Sequence, residues 1–193
     1  MIYVILTSYK EPKSTVRAVE SLLKQKVKNI KIFVVDPFEE TRVFLEKNVK
    51  DERVEFVLDP GEGKPYALNM MFDMIYSDNK NDIILFTDGD VYVSDNALEE
   101  IGKAFKDKKV GAVTGRPVAT NSIKTKYGYW AKVVYDGIDK VRKKLDKKKQ
   151  FMQCSGYLFA IRNGLVKETY PDVPEDCIIP YLAWKKSYRV AYA

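Results

Sequence analysis

The sequence predicts an α/β chain with a mostly parallel central sheet and helices on both faces, three layers in all. Three observations predict it. Two apolar, β-branched runs, 2–6 and 30–35, are each followed by a stretch of helical spacing, the alternation of a parallel sheet with crossover helices. A third run, 83–87, is apolar throughout, as a strand covered on both faces must be. The 193 residues are 46% apolar, 31% charged and 12% aromatic, enough to bury a core without a disulfide or structural metal.

After the first strand, Pro12 suits an early helical position. Val16, Val19, Leu23 and Val27 then recur every three or four residues, leaving Lys13, Arg17, Glu20 and Lys24 outside. The second strand leads to a helix over 39–47, and 53–58 alternates as a third strand. Asp59-Pro60-Gly61-Glu62-Gly63-Lys64 is a turn by composition, and Leu68, Met71, Phe72 and Ile75 mark the next helix. Asn81-Asp82 opens the buried strand, a helix covers about 95–106, and 110–114 is a further strand. Beyond it, 127–148 reads as a basic helix, 156–161 as a strand, 174–186 as a loop entering a short helix, and 188–192 as extended. No linker divides the chain, so 1–193 is expected to form one domain with halves at 1–115 and 116–193.

Histidine is absent, which excludes His-based triads, His-ligated zinc and imidazole bases. Cys154 and Cys177 have no CxxC spacing and read as reduced, buried small residues. No apolar run approaches membrane-spanning length, and the first residues enter a strand without a basic flank or cleavage site; a cytoplasmic protein is expected. The net charge of +6 resides in 124–150, which carries ten basic residues against three acidic ones. Three readings fit that segment: a core-packed helix with a solvated face, which such compositions favour, a peripheral contact with anionic lipid on the inner face of a membrane, and a site for a phosphorylated lipid acceptor. Nucleic acid is not expected, since no DNA- or RNA-binding motif accompanies the charge.

Ligands of open α/β sheets lie beyond the carboxyl ends of the strands. Here those ends are Thr7-Ser8-Tyr9-Lys10-Glu11, Asp36, the loop ending at Lys64, and Asp88-Gly89-Asp90. Two readings fit the last of these. It is a polar turn, or a carboxylate pair whose two charges a divalent cation keeps ionised, with Gly89 letting backbone approach a ligand. Oxygen-only ligation suits Mg²⁺ or Mn²⁺. Glu175-Asp176 likewise fits either first-turn acids of a helix or a carboxylate base, and Lys64 either a donor contact or a solvated lysine.

The ordered blocks Val4-Ile5-Leu6-Thr7-Ser8-Tyr9-Lys10-Glu11, Val34-Val35-Asp36, Gly63-Lys64-Pro65-Tyr66-Ala67-Leu68-Asn69, Phe86-Thr87-Asp88-Gly89-Asp90-Val91, Ser155 to Arg162, Glu175-Asp176 and Tyr188-Arg189-Val190 resemble family 2 of the glycosyltransferases over nearly the whole chain. The resemblance implies a GT-A fold and inverting transfer from a nucleotide-diphosphate sugar, a UDP-sugar in the first instance. It places Tyr9, Glu11 and Asp36 at the base and ribose of the donor, Asp88 and Asp90 on the donor and its metal with Asp90 the more direct ligand, and the catalytic base at Asp176; Thr7 at the end of the first strand and Lys64 in its glycine-flanked loop are the further donor-contact candidates. The sequence departs from the family pattern in four places. Asp36-Pro37-Phe38 replaces paired acids, Ile178 and Leu182 stand where Asp and Arg are common, Ser187 replaces a common Gly, and the Gln-x-x-Arg-Trp signature of processive synthases is missing. The acceptor stays open, a lipid-linked one included. Two rival functions remain beside transfer: a sugar-1-phosphate nucleotidyltransferase, though the glycine-rich loop such enzymes place after strand one is missing, and a non-catalytic nucleotide-sugar-binding protein of the same fold.

Overall fold

The structure, a computed structural model, describes residues 1–193. Its elements run β1 (Ile2–Thr7), α1 (Pro12–Leu23), β2 (Ile30–Asp36), α2 (Glu39–Asn48), β3 (Val54–Leu58), α3 (Lys64–Ile75), β4 (Ile83–Asp88), α4 (Ala97–Ala104), β5 (Val110–Thr114), α5 (Lys126–Lys147), β6 (Leu158–Arg162), α6 (Glu175–Lys185) and β7 (Arg189–Tyr192). Every expected element is present, most with ends shifted by a residue or two, but α1 stops at Leu23, so Val27, expected on its apolar stripe, lies beyond the helix and packs on the core from the segment that follows. The strands form one sheet in the order β3-β2-β1-β4-β6-β5-β7. Strands β1 to β4 are parallel, β6 runs antiparallel to both β4 and β5, and β7 lies parallel to β5. The later half of the chain thus supplies two strands to the sheet begun by the earlier half.

Strand pleating divides the core. Val4 and Leu6 point to one face, where Val16, Val19 and Leu22 of α1 and Leu98 and Ile101 of α4 cover them. Ile5 points to the other face, against Leu68, Met71 and Phe72 of α3 and Ile179 and Ala183 of α6. Phe86 of β4 stacks on Phe159 of β6 with ring centres 4.5 Å apart, so the antiparallel strand is joined to the parallel block by side chains as well as by its ladder.

Helix α5 departs from expectation. Among its 22 residues only Gly128 and Asp139 are buried, and of its apolar side chains only Leu145 packs, partly buried, against a core cluster. The core-packed reading of 124–150 is therefore corrected: the helix lies along the edge of the molecule and turns most of its apolar residues outward. A second correction concerns the cysteines. Both are free thiols, but Cys177 is only half-buried, unlike Cys154.

Candidate active site

Strands β1 and β2 progress toward one edge of the sheet, and the chain then crosses to place β4 on the other side of β1. That reversal opens a crevice at the carboxyl ends of β1 and β4. The ladder aligns Thr7 with both Val35 and Asp88, so three strand ends finish level. A cleft of about 340 Å³ lies there, lined by Thr7, Ser8, Tyr9 and Glu11 from one loop, Asp59, Gly61, Gly63 and Lys64 from another, and Asp88, Gly89 and Asp90.

Asp88 is the centre of this arrangement. Its Oδ1 accepts a hydrogen bond from the Thr7 hydroxyl at 2.8 Å and one from the Lys64 ammonium at 2.7 Å. The same ammonium lies 2.6 Å from Oε1 of Glu175 at the start of α6, so a single cation ties two carboxylates from opposite halves of the chain. Burial works against the charge on Lys64, but Asp88 and then Glu175 outweigh it and raise its pKa above the ordinary lysine value. Lys64 is thus a fixed cation inside the cleft, not a solvated lysine. The loop that presents it needs left-handed backbone at Gly61 (φ 75°) and at Gly63 (φ 116°), and Asp59 accepts the Gly61 N–H at 2.7 Å. Burial is the main cause that raises the pKa of Asp59, opposed by the Gly61 amide and reinforced by Asp36.

Tyr9 is exposed and meets the Phe38 ring edge-on at 5.1 Å, and Glu11 takes the Ser14 hydroxyl at 3.1 Å; both face the cleft. Asp90 is exposed and borders both this cleft and a larger, more apolar one that includes Tyr92, Val118, Ala131, Tyr135 and Tyr157.

Two sequence expectations change at this point. Asp36 is fully buried and does not line the cleft. Its Oδ2 accepts the Lys10 N–H at 3.1 Å and its Oδ1 the Phe38 N–H at 2.8 Å, so it shapes the loops that carry Tyr9, with Lys10 held in left-handed backbone (φ 57°). Gly89 serves close approach of protein to protein. A Cβ there would lie 2.8 Å from Thr15 Oγ1 and 3.0 Å from Ser8 Cβ, where the two hydroxyls already share a 2.7 Å hydrogen bond.

Asp176 lines neither cleft, although its neighbour Glu175 reaches Lys64. Its position follows from Pro180, which has no N–H to give to the carbonyl four residues earlier. The freed Asp176 carbonyl accepts the Cys154 N–H at 3.1 Å, while its side chain accepts the Gly156 N–H at 3.1 Å. Asp176 is thereby pinned to the segment entering β6. Glu175, which the sequence offers only as part of a pair of first-turn acids or a carboxylate base, is the site residue whose contact with Lys64 it does not reveal; an acid opening a helix cannot say which distant cation it meets.

No group of three or more acidic or cysteine side chains is arranged to hold a metal ion, and the carboxylates that line the cleft beside each other are Asp88 and Asp90. Asp90 makes no ion pair, and Asp88 has one oxygen outside its bonds to Thr7 and Lys64. That donor set fits Mg²⁺ or Mn²⁺ if a diphosphate and water complete the shell.

The model of glycosyl transferase family 2 matches residues 3–169. No curated protein sequence matches the chain. Among solved structures, the mannosyltransferase PcManGT from Pyrobaculum calidifontis, in complex with GDP-Man and Mn²⁺, aligns over 100% of this chain and 54% of its own, with TM-score 0.75 and 18% identity. The S. aureus TarS segment 1–349 aligns over 63% of this chain and 36% of its own, with TM-score 0.50 and 20% identity. The chain therefore spans about half the length of the first and about a third of the second.

Proposed function

The chain belongs to glycosyl transferase family 2 and has the GT-A fold, and from that premise we propose that it moves a sugar from a nucleotide-diphosphate donor to an acceptor hydroxyl with inversion at the anomeric carbon. One observation carries the reading: a fixed cation, Lys64, and two acids, Asp88 and Asp90, meet at the switch point of the sheet, where a diphosphate needs opposite charge and a metal needs oxygen.

In the proposed reaction the acceptor oxygen bonds to the anomeric carbon as the bond from that carbon to the diphosphate breaks. The hydroxyl proton passes to Asp176, and the nucleoside diphosphate departs with the electron pair. Lys64 and the start of α3 offset the charge that develops on the leaving group. A divalent cation, when bound at Asp88 and Asp90, adds Lewis-acid stabilisation of that same charge. Glu175 is committed to Lys64, and Asp176, which stands next to it at the start of α6 but lines neither cleft, keeps one carboxylate oxygen outside its bond to the Gly156 amide for the proton. Tyr9 and Glu11 flank the nucleoside, and Asp36 acts on it through the loop it holds.

UDP-sugars head the donor candidates. The GDP-Man found in the PcManGT structure is a reason to include guanosine donors in the screen. Thermal melts with UDP-, GDP- and dTDP-sugars, with and without Mn²⁺, are expected to show one donor raising the midpoint, by an amount equal to about 2.7 kcal/mol at a hundredfold excess over Kd. Failure of every donor to shift the melt would overturn the reading. Asp176→Asn is expected to lower kcat by about 10²–10⁴ with donor binding intact; undiminished turnover would remove Asp176 as the base. Pyrophosphate release from a nucleoside triphosphate would instead indicate the nucleotidyltransferase chemistry.

A further inference from the structure

We propose that the outer face of α5 is a docking surface for an anionic lipid bilayer, independent of donor binding. The helix begins at a defined cap: Thr125 Oγ1 accepts the Gly128 N–H at 3.1 Å, and Gly128 sits where a Cβ would collide with the Ser122 carbonyl. Its inward side is set by Gly128, Ala131, Tyr135, Asp139, Arg142 and Asp146, all at least partly buried and spaced by three or four. The opposite side should then be polar, as on an ordinary solvated helix. Instead the solvent-facing surface carries Tyr127 (84% exposed), Trp130 (56%), Val134 (53%) and Val141 (57%), spaced three, four and seven residues apart on one stripe flanking the inward side, with Tyr129 and Val133 on the other flank.

Charge identifies the occupant. Lys126, Lys140, Lys144 and Lys148 are exposed along and beside the stripe, and 124–150 carries ten basic residues against three acidic ones. Two of the acids are spent locally: Asp136 pairs with Lys132 at 2.8 Å, and Asp139 with Lys143 at 2.8 Å. A second copy of this chain would bring one lysine row against another. An apolar partner segment would leave the lysines unanswered. A bilayer of anionic headgroups over acyl chains meets both at once, with tyrosine and tryptophan at the interface and lysines at the phosphates. The inner side of the same helix, at Ala131 and Tyr135, walls the larger cleft that begins at Asp90, so docking would set that cleft beside the lipid.

The test is sedimentation of the donor-free protein with vesicles of phosphatidylcholine, alone or mixed with phosphatidylglycerol. Partition onto the mixed vesicles only, weakened by salt, is expected. Lys140→Glu/Lys144→Glu/Lys148→Glu should weaken it about a hundredfold or more, and Trp130→Ser/Val134→Ser about tenfold, with circular dichroism unchanged in both. In a Trp184→Phe background, Trp130 emission should shift to the blue on the mixed vesicles. Absence of partition, or partition untouched by either variant, would overturn the proposal. So would a concentration-dependent dimer that Trp130→Ser dissolves, since the face would then be an interface between copies.

Discussion

Replacing Asp36 with alanine would leave the amides of Lys10 and Phe38 without acceptors beside a fully buried site. Each orphaned donor costs about 1–3 kcal/mol, so a loss of about 2–4 kcal/mol is expected in urea unfolding. A loss below about 0.5 kcal/mol, the level of an ordinary surface change, would show that the carboxylate does not organise the loop. Lys64 invites a different measurement. Its ammonium lies on one Asp88 oxygen and so sets a positive charge beside the other, which is the oxygen open to a divalent cation arriving alone, and a donor diphosphate would offer it a new partner. Lys64→Met is therefore expected to tighten Mn²⁺ binding to the donor-free protein, followed through the resonance signal of free Mn²⁺, and to weaken donor binding about 10–100-fold through one lost charge-assisted bond. Equal Mn²⁺ affinity in the two proteins would show that ammonium and metal do not compete. Neither role could be read from spacing. The sequence marks Asp36 and Lys64 as polar residues at strand and loop ends, but which atom each one faces depends on contacts between distant segments.

Among the elements, β3 shows how a short turn sets a strand. Asp51 receives the Arg53 backbone N–H at 3.0 Å and its guanidinium at 2.7 and 2.9 Å, while the Arg53 carbonyl accepts the N–H of Ile32 and starts the ladder. The Arg53 guanidinium is the main cause that lowers the Asp51 pKa, to about 2. A lowered carboxylate pKa stabilises the fold above the unfolded value and loses that contribution as pH falls through the folded one. Asp51→Asn should therefore lower the melting temperature by a few degrees at neutral pH, with the gap closing between about pH 4 and pH 2; both side chains are partly exposed, so screening keeps the effect to about 1 kcal/mol. A gap independent of pH would assign the stability to the turn geometry alone. Strand-helix units such as β1-α1 and β2-α2 were legible because each is written in neighbouring residues, in a run of β-branched side chains and then an apolar stripe. The slot and direction of β6 were not. Its run looks like any strand, and only pairing with β4 and β5 inserts it antiparallel between them.

At the scale of the whole molecule, that inserted strand is fastened by one buried side chain. Arg162, at the end of β6, donates from Nε to the Val110 carbonyl at 2.7 Å, from Nη1 to Lys80 at 3.0 Å, and from Nη2 to Phe105 at 2.6 Å and Asp107 at 3.1 Å. It lies against the Phe105 ring and has no carboxylate in contact. Burial lowers its pKa, but an arginine keeps its charge, so the four carbonyls act as its solvent. They come from the loop before β4, the loop after α4 and the first residue of β5, so one guanidinium joins the parallel block to the antiparallel insertion. A lysine cannot present that planar fork and would leave carbonyls unpaired, a loss of about 2–4 kcal/mol. At about 2–4 °C per kcal/mol for a chain of this size, Arg162→Lys should melt roughly 5–15 °C lower in calorimetry. The pairing of Arg162 with Ile83 puts it at the opposite end of β4 from Asp88, so donor affinity measured below the transition should be unchanged. A normal melting temperature would mean that the ladder and the Phe86–Phe159 stack hold β6 unaided, while a loss of donor affinity in the folded variant would mean that the two ends of β4 do not behave as a rigid unit.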